Sequence, residues 1–208
     1  AAELGMAIIC PDTSPRGEDI PDEKGNWQFG SGAGFYLDAT ESPYDKNYNM
    51  YSYIIDELPS VIENHFDFDM SRQSIFGHSM GGHGAIVMAL RNSKKFKSCS
   101  AFAPIVEPSS ASWSSEALKK YIGLDQSNWQ KYDSVALVKN GYYFPEILID
   151  QGDADSFLEE GLRPWLLEDA CKNTNINLKI RMQPNYDHSY YFISTFMEDH
   201  LIWHRERI

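Results

Sequence analysis

The chain has few cysteines, few basic residues and no long apolar run, and each shortage excludes a class of protein. Three cysteines among 208 residues, with no C-x-x-C spacing, provide neither a disulfide framework nor a zinc motif. The 18 basic residues against 30 acidic ones leave a net charge of −12, which argues against nucleic acid and anionic membranes as partners. No apolar stretch approaches the ~20 residues that a membrane-spanning helix requires. We therefore expect a protein of a reducing compartment, the cytoplasm.

Nothing in the sequence divides the chain into several domains. A length of 208 residues with 42% apolar residues is sufficient for one substantial core, and the chain lacks repeats and linker-like tracts. We therefore expect a single domain over residues 1–208, with a small helical insertion around residues 105–140. The chain opens on AAELGMAIICPD, with no initiator Met and with a strand-like segment at once. We expect upstream sequence, including N-terminal strands of the sheet, to be missing.

Short apolar runs alternate with longer amphipathic ones along the chain. Strands that alternate with helices indicate a mostly parallel α/β sheet with helices on both faces, and ligands bind such sheets at the carboxyl ends of the strands. A segment rich in Pro, Gly, Asp and Ser, residues 11–46, is predicted to be a long loop. Strands are predicted at 6–10, 74–77, 98–104, 145–152 and 177–183, and helices at 47–65, 81–91, 157–172 and 189–206.

The segment FGHSMGGHG, residues 76–84, contains a serine among glycines and histidines. Residues 77–81 match G-x-S-x-G directly between a predicted strand and a predicted helix, which is the context that this nucleophile motif requires. So sharp a turn strains the backbone at its tip, and glycines are expected two positions either side because side chains there would collide with the strand and helix. The turn would expose the Ser79 hydroxyl and aim the Met80 N–H at an oxyanion. We interpret Ser79 as a nucleophile; the alternative is a Gly-rich turn with an incidental serine.

A serine nucleophile requires a base, and three histidines follow Ser79 in the chain. His188, in PNYDHSYYF, lies in the predicted turn between the last strand and the last helix, at the edge of the sheet where ligands bind. His200 and His204 stand four residues apart in the last helix, without the carboxylate motif of a metal site, and are predicted to line a solvated helix face. We therefore assign His188 as the general base and expect no metal.

The acid that orients the base is expected in DQGDADSF, after the strand at 145–152. The spacing G-x-x-D, common in folds of this kind, selects Asp155 over Asp153. Asp150 is still within the strand, so its side chain should be held at the end of the sheet. Asp187 adjoins His188 and is read as a turn residue, because adjacent side chains seldom face each other. The predicted mechanism is acyl transfer through an acyl-serine on Ser79, with His188 as base and Asp155 as its partner.

Seven segments together resemble the S-formylglutathione hydrolase (esterase D) family of α/β-hydrolases, from residue 1 to about residue 206. They are PDTSPRG, GSGAGFY, MYSYI, FGHSMGGHGA, SAFAPI, ILIDQG and YDHSYYF. The resemblance implies the triad Ser79, Asp155 and His188, no metal or other cofactor, and a homodimer. It also implies hydrolysis of S-formylglutathione to glutathione and formate, a step of formaldehyde detoxification, beside cleavage of simple esters. Family members carry an N-terminal loop with a second oxyanion donor, and that loop has no counterpart in this sequence.

Several further residues are candidates for binding the substrate. Arg16 in SPRG would contact a glutathione carboxylate or, as we favour, hold the long loop by an internal salt bridge. Trp113 would line the acyl pocket or pack in the core of the insertion. His78 would line the pocket without a role in proton transfer, whereas His83 is expected to pack. The segment GSGAGF, residues 30–35, lacks the last glycine of a dinucleotide loop and is read as a turn lining the site.

Four functions fit these residues to different degrees. A thioesterase specific for S-formylglutathione and a generalist carboxylesterase for short-chain esters share the triad and differ only in the pocket. A non-catalytic binding module of the same fold is disfavoured, because such proteins usually lose the serine or the histidine. An acyltransferase would need a second acceptor groove, for which the sequence offers no sign. We expect a small-molecule substrate and the first of these four functions.

Overall fold

Four parallel strands form the sheet of the computed structural model, within residues 1–17, 19–21 and 26–208, which are the residues that it describes. The strands lie side by side in chain order, β1-β2-β3-β4. The four predicted strands from residue 74 onward are confirmed, with bounds that differ by two residues at most. The strands are β1 Gln73–His78, β2 Phe96–Phe102, β3 Glu146–Gly152 and β4 Asn177–Gln183.

Helices follow the strands and occupy much of residues 105–140, the segment predicted as a helical insertion. No helix formed by the described residues combines the length and apolarity needed to cross a bilayer. The α-helices are α1 Met50–Ser52, α2 Leu58–His65, α3 Met80–Arg91, α4 Ser112–Ile122, α5 Ser134–Lys139, α6 Pro164–Cys171 and α7 Tyr190–Arg205. Shorter 3-10 turns occur at Ala2–Leu4, Tyr44–Lys46 and Gln126–Tyr132, and π-helical turns at Tyr53–Glu57 and Leu158–Leu162.

Alternate side chains of β2 show that helices cover both faces of the sheet. The Cys99 thiol lies 3.7 Å from the Ala85 carbonyl oxygen of α3. The neighbouring Ser98 hydroxyl lies 2.7 Å from Nδ1 of His204 on α7. Because successive side chains of a strand point to opposite faces, α3 and α7 lie on opposite sides of the sheet. This arrangement confirms the predicted α/β-hydrolase layers.

The strand predicted at residues 6–10 is wrong. This segment has no regular secondary structure, and Ile8 and Ile9 are 41% and 45% exposed. The apolar, β-branched composition of a segment is not enough to form a strand, because the backbone N–H and C=O groups of a strand must pair with a neighbour. None of the four strands in the described part of the chain pairs with this segment.

The helix predicted over residues 47–65 is present but interrupted by a π-helical turn before Pro59. Proline has no N–H, so the carbonyl of Ile55, four residues earlier, loses its usual partner within the helix. The Lys95 ammonium donates a hydrogen bond to that carbonyl. A side chain from beyond α3 therefore satisfies the backbone group that the proline leaves open.

The long loop before α1 packs on the helical insertion rather than over solvent. The Tyr121 hydroxyl of α4 accepts a hydrogen bond from the Gly30 N–H at 2.7 Å and donates one to the Ala33 carbonyl at 2.8 Å. The Tyr121 ring stacks on Tyr48, with centroids 5.2 Å apart. Phe35 and Leu37 from the same loop belong to the main hydrophobic core. The loop and the insertion therefore stabilise each other.

Three histidines are buried inside the fold, and for two of them this corrects the prediction. His200 and His204 were expected on a solvated face of the last helix, but their side chains face the sheet and are 0% and 3% exposed. Both find hydrogen-bond partners on β2 that the helix pattern does not reveal. His83 is buried, as expected, and donates to the Phe35 carbonyl at 3.2 Å.

We expect these buried histidines to destabilise the protein as the pH falls below about 6.5. Burial lowers the pKa of His83 to about 4 and that of His204 to about 3. At pH values between these pKa values and about 6.5, the unfolded chain binds protons that the folded chain does not, so acidification favours unfolding. Each such histidine adds a slope of up to about 1.4 kcal/mol per pH unit to the free energy of unfolding.

Urea unfolding at pH 7 and pH 5 measures this slope, which carboxylates also influence. The His204→Gln variant should show a smaller slope than the wild type. The matched control is His65→Gln, because His65 is exposed and its replacement should leave the slope unchanged. Equal slopes in all three proteins would contradict the assignment.

Candidate active site

The candidate nucleophile Ser79 stands at the tip of a sharp turn from β1 into α3. Its backbone has φ 56° and ψ −117°, a strained conformation for any residue other than glycine. Three backbone hydrogen bonds hold it: the Ser79 N–H donates to the Phe102 carbonyl at 2.9 Å, and the Ser79 carbonyl accepts from the N–H groups of His83 and Ile105 at 2.9 and 3.4 Å. The turn has the strained geometry that the G-x-S-x-G pattern predicts.

The two motif glycines have different reasons to be there. A Cβ atom at Gly77 would lie 2.3 Å from the carbonyl carbon and oxygen of Gly81, so no side chain fits. A Cβ atom at Gly81 would meet nothing nearer than the Tyr36 hydroxyl at 4.0 Å. The predicted collision is therefore correct at Gly77 and wrong at Gly81, because it is the backbone of residue 81 that approaches residue 77.

The structure brings the side chains of Asp155 and His188 together. Nδ1 of His188 lies 2.6 Å from Oδ2 of Asp155, whose side chain is fully buried. The carboxylate also accepts hydrogen bonds from the Gln151 side chain at 3.2 Å and from the Phe157 N–H at 2.9 Å. An ionised carboxylate only accepts, so the proton of neutral His188 is on Nδ1 and Nε2 is free to act as a base.

The other carboxylates weighed from the sequence are engaged elsewhere. Asp153 accepts from the Asn185 N–H at 2.6 Å, and Asp187 accepts from the Ser189 N–H at 2.9 Å, as a turn residue does. Asp150 is buried at the end of β3 and forms an ion pair with Arg181. Among these four, the residue that the G-x-x-D spacing selects is the one that lies against His188.

The loops that carry Asp155 and His188 pack backbone against backbone. A Cβ atom at Gly152 would lie 2.2 Å from the Tyr186 carbonyl oxygen, and the Ala154 N–H donates to that same oxygen at 3.0 Å. The glycine of G-x-x-D is therefore required by the approach of the loop that presents the histidine. Sequence reasoning used this glycine for its spacing and missed its contact with Tyr186.

The His188 ring contacts two other rings. Its centroid is 4.4 Å from that of His78, the residue before Ser79, and 5.0 Å from that of Phe157. Burial is the main cause that lowers the pKa of His78 to about 4, so His78 is neutral near pH 7. This contact brings the nucleophile turn and the Asp155–His188 pair to the same place. The contact of Phe157 had no signal in the sequence.

Aromatic side chains extend from His188 into the insertion. Phe157 and Trp113 both contact Trp27, whose ring centroid lies 6.1 Å and 5.6 Å from theirs. Trp113 packs directly on Gly161, where a Cβ atom would lie 2.6 Å from its ring. Trp27 is 62% exposed. These rings form an apolar wall that continues from His188 to the surface.

Arg16 and Tyr36 belong to the long loop near the turn. Arg16 donates to both carboxylate oxygens of Asp12, at 2.9 and 3.0 Å, and to the Ser31 hydroxyl at 2.7 Å, so it ties the loop to itself. The Tyr36 ring packs on Gly84 of α3, and burial raises the pKa of its hydroxyl. Tyr36 was missed because only the fold brings it to the turn. Within the described residues, no three His, Cys, Asp or Glu side chains form a possible metal site.

The chain matches known esterases over nearly its whole length. The family model described as "Putative esterase" matches residues 1–203. The S-formylglutathione hydrolases of Bos taurus and Mus musculus are each 51% identical over an alignment of 207 residues, which covers 98% of this chain and 73% of theirs.

Solved structures give the same relationship. An S-formylglutathione hydrolase from Agrobacterium tumefaciens has 66% identity and a TM-score of 0.98, covering 99% of this chain and 74% of that one. The fluorophosphonate-binding serine hydrolase F of Staphylococcus aureus has 21% identity and a TM-score of 0.67, covering 85% of this chain and 69% of that one. The second likeness carries the fold alone.

The unequal roles of the two motif glycines lead to a prediction. Gly77→Ala should displace the start of α3 and with it Ser79, and reduce kcat/KM for p-nitrophenyl acetate by about a hundredfold, since small misplacements of reacting groups cost this much. Gly81→Ala is the matched control in the same turn and should stay within about threefold of the wild type. Equal losses in both variants would contradict the assignment of the collision to residue 77.

Proposed function

The chain belongs to the esterase family, among its S-formylglutathione hydrolases, and we propose that it hydrolyses the thioester of S-formylglutathione to glutathione and formate. The relatives that bear this name support the substrate. The observation that carries the chemistry is the 2.6 Å hydrogen bond from His188 to the buried Asp155. The His188 ring also contacts the ring of His78, the residue that precedes the strained Ser79. Acyl transfer needs a serine within reach of a histidine that a carboxylate orients.

The proposed reaction has two halves. Ser79 Oγ attacks the thioester carbonyl while His188 Nε2 takes the hydroxyl proton, and Asp155 stabilises the imidazolium. The tetrahedral intermediate collapses, the C–S bond breaks, and His188 returns the proton to the departing sulfur. Water then attacks the formyl-serine by the same route and releases formate. The Met80 N–H, at the start of α3, is the proposed donor to the oxyanion.

Contacts with the substrate are part of the proposal. His78 and Trp113 line the acyl side, because the first contacts the His188 ring and the second belongs to the aromatic wall that leads away from it. Arg16 is retained as a candidate for a glutathione carboxylate, although its bonds to Asp12 and Ser31 favour the structural role. The reaction needs no metal or other cofactor.

The cellular setting is also proposed. The resemblance supports a homodimer and a role in formaldehyde detoxification, and the sparse cysteines support the cytoplasm. The acidic net charge of −12 supports a small-molecule substrate rather than nucleic acid or a membrane.

Two substitutions in the loop after β3 test whether Asp155 or Asp153 is the acid that orients His188. Asp155→Asn should lower kcat for p-nitrophenyl acetate by roughly 10³- to 10⁴-fold, because the amide no longer holds His188 in the tautomer that accepts a proton. Asp153→Asn makes the same chemical change two residues away and should stay within about fivefold of the wild type. Ser79→Ala gives the baseline without a nucleophile. A larger loss in Asp153→Asn than in Asp155→Asn would reverse the assignment.

The substrate is tested by comparing kcat/KM for S-formylglutathione with that for p-nitrophenyl acetate, on the natural full-length protein. We expect a preference for the thioester of at least about a thousandfold, which amounts to ~4 kcal/mol of additional transition-state binding. Similar values for the two substrates, both abolished by Ser79→Ala, would favour the generalist carboxylesterase instead.

A further inference from the structure

A continuous chain of hydrogen bonds crosses the sheet beneath α7, outside the site described above. It joins side chains of β1, β2 and β3 through two histidines of α7. Its members from Ser98 onward are at most 3% exposed. The links are Ser74 Oγ to Ser98 Oγ (2.6 Å), Ser98 Oγ to His204 Nδ1 (2.7 Å), His204 Nε2 to Ser100 Oγ (2.8 Å), Ser100 Oγ to His200 Nδ1 (2.8 Å) and His200 Nε2 to Asp150 Oδ2 (3.2 Å).

The chain ends on a buried carboxylate. Arg181 of β4 donates to both oxygens of Asp150, at 2.6 and 2.5 Å, and the Gln183 side chain donates at 3.2 Å. Burial alone would raise the pKa of Asp150, but the hydrogen bonds from His200 and Arg181 outweigh it and hold that pKa below its usual value. Asp150 is therefore ionised and can only accept hydrogen bonds.

This acceptor sets the direction of every bond in the chain. His200 donates from Nε2 to Asp150, so its Nδ1 must accept from the Ser100 hydroxyl. Ser100 then accepts from Nε2 of His204, whose Nδ1 accepts from Ser98 in turn. Only one assignment of donors and acceptors therefore satisfies all of these hydrogen bonds. A rotation or a shift of α7 would break several of these bonds together.

The loop that carries His188 is anchored to Asp150 at both of its ends. Before the loop, Gln183 bonds to Asp150 by its side chain, and the Gln183 carbonyl accepts from the N–H groups of Asp153 and Tyr186 at 3.2 and 3.4 Å. After the loop, α7 begins at Tyr190, two residues beyond His188, and is held by His200.

His200 also contacts Phe102, the residue whose carbonyl is hydrogen-bonded to Ser79. The His200 ring stacks on Phe102 of β2, with centroids 3.8 Å apart and an interplanar angle of 20°. The Phe102 carbonyl accepts the hydrogen bond from the Ser79 N–H at 2.9 Å. His200 therefore has one route to His188 along α7 and a second route to Ser79 through Phe102.

We propose that Asp150 and His200 are positioning residues for catalysis, which set the place of His188 relative to Ser79 through the register of α7. The inference rests on the proposed function, because it gives His188 the role of the base. Both side chains are fully buried and do not reach the substrate. Their effect should therefore appear in kcat and leave KM unchanged.

The experiment compares His200→Leu with His200→Gln, two side chains of similar size. Leucine removes the donor and the acceptor, whereas the glutamine amide can donate to Asp150 and accept from Ser100. With p-nitrophenyl acetate, we expect His200→Leu to lower kcat by roughly 10- to 100-fold with KM within about twofold of the wild type. His200→Gln should recover at least about half of the lost catalysis on a logarithmic scale.

Two further variants guard against misfolding and non-specific effects. Ser100→Ala removes a single hydroxyl and should lower kcat in the same direction, even if His200→Leu does not fold. Asp199→Asn is the matched control: it removes the exposed partner of Arg181 on α7, bonded at 2.8 Å, and should leave kcat unchanged. All assays are run below the unfolding transition of each variant, as measured by circular dichroism.

The outcomes separate this inference from the proposed function. If folded His200→Leu and Ser100→Ala lose stability but keep wild-type kcat, the hydrogen-bonded chain is only structural and the inference is overturned. It is also overturned if His200→Gln is as slow as His200→Leu, or if Asp199→Asn is as slow as either. Activity that survives in Ser79→Ala or His188→Ala would refute the proposed function itself.

Discussion

Contact of backbone on backbone at the carboxyl edge of the sheet is the constraint on which the candidate site depends. At Gly77 the strand approaches the start of α3 so closely that no Cβ atom fits, and at Gly152 the end of β3 meets the carbonyl of Tyr186 in the same way. The first contact forces Ser79 into its strained conformation, and the second brings the loops of Asp155 and His188 together. The parallel strands place these loops at one edge of the sheet, and the glycines let their backbones approach closely enough for the side chains to meet.

Ser100, His200 and Asp150 form a hydrogen-bonded set with the same three residue types as the proposed triad of Ser79, His188 and Asp155, but the surroundings of the two sets differ. The buried set is Ser100, His200 and Asp150, whose side chains are hidden from solvent, and its carboxylate bonds Nε2 of the histidine. In the other set the carboxylate of Asp155 bonds Nδ1 of a partly exposed His188, so Nε2 is the nitrogen that we propose acts on the Ser79 hydroxyl. Residue types alone therefore do not define a triad. Two further properties define it: which ring nitrogen of the histidine the carboxylate bonds, and whether a substrate can reach the histidine.

Local patterns predicted those features whose cause is local. The strand at residues 177–183 and the turn at Ser79 follow from alternation, glycine spacing and the order of strand and helix. The burial of His204 does not, because two polar residues four apart in a helix look the same on either face, and its partner Ser98 lies 106 residues earlier. Likewise residues 6–10 have strand composition, but no strand in the described part of the chain pairs with them. In both of these cases the failed prediction concerned a contact between segments that are distant in the sequence.

The buried hydrogen-bonded chain and the candidate site are connected through two neighbouring residues of β3. Asp150 forms an ion pair with Arg181, and the side chain of the next residue, Gln151, donates a hydrogen bond to Asp155 at 3.2 Å. A shift of β3 would therefore move the Asp155 carboxylate, which bonds His188, while Asp150 is hydrogen-bonded to His200 of α7. Burying so many polar groups costs free energy unless every one is paired, and this cost penalises any arrangement in which α7 is out of register. The interior of this fold thus limits the positions open to His188, Asp155 and Ser79 together.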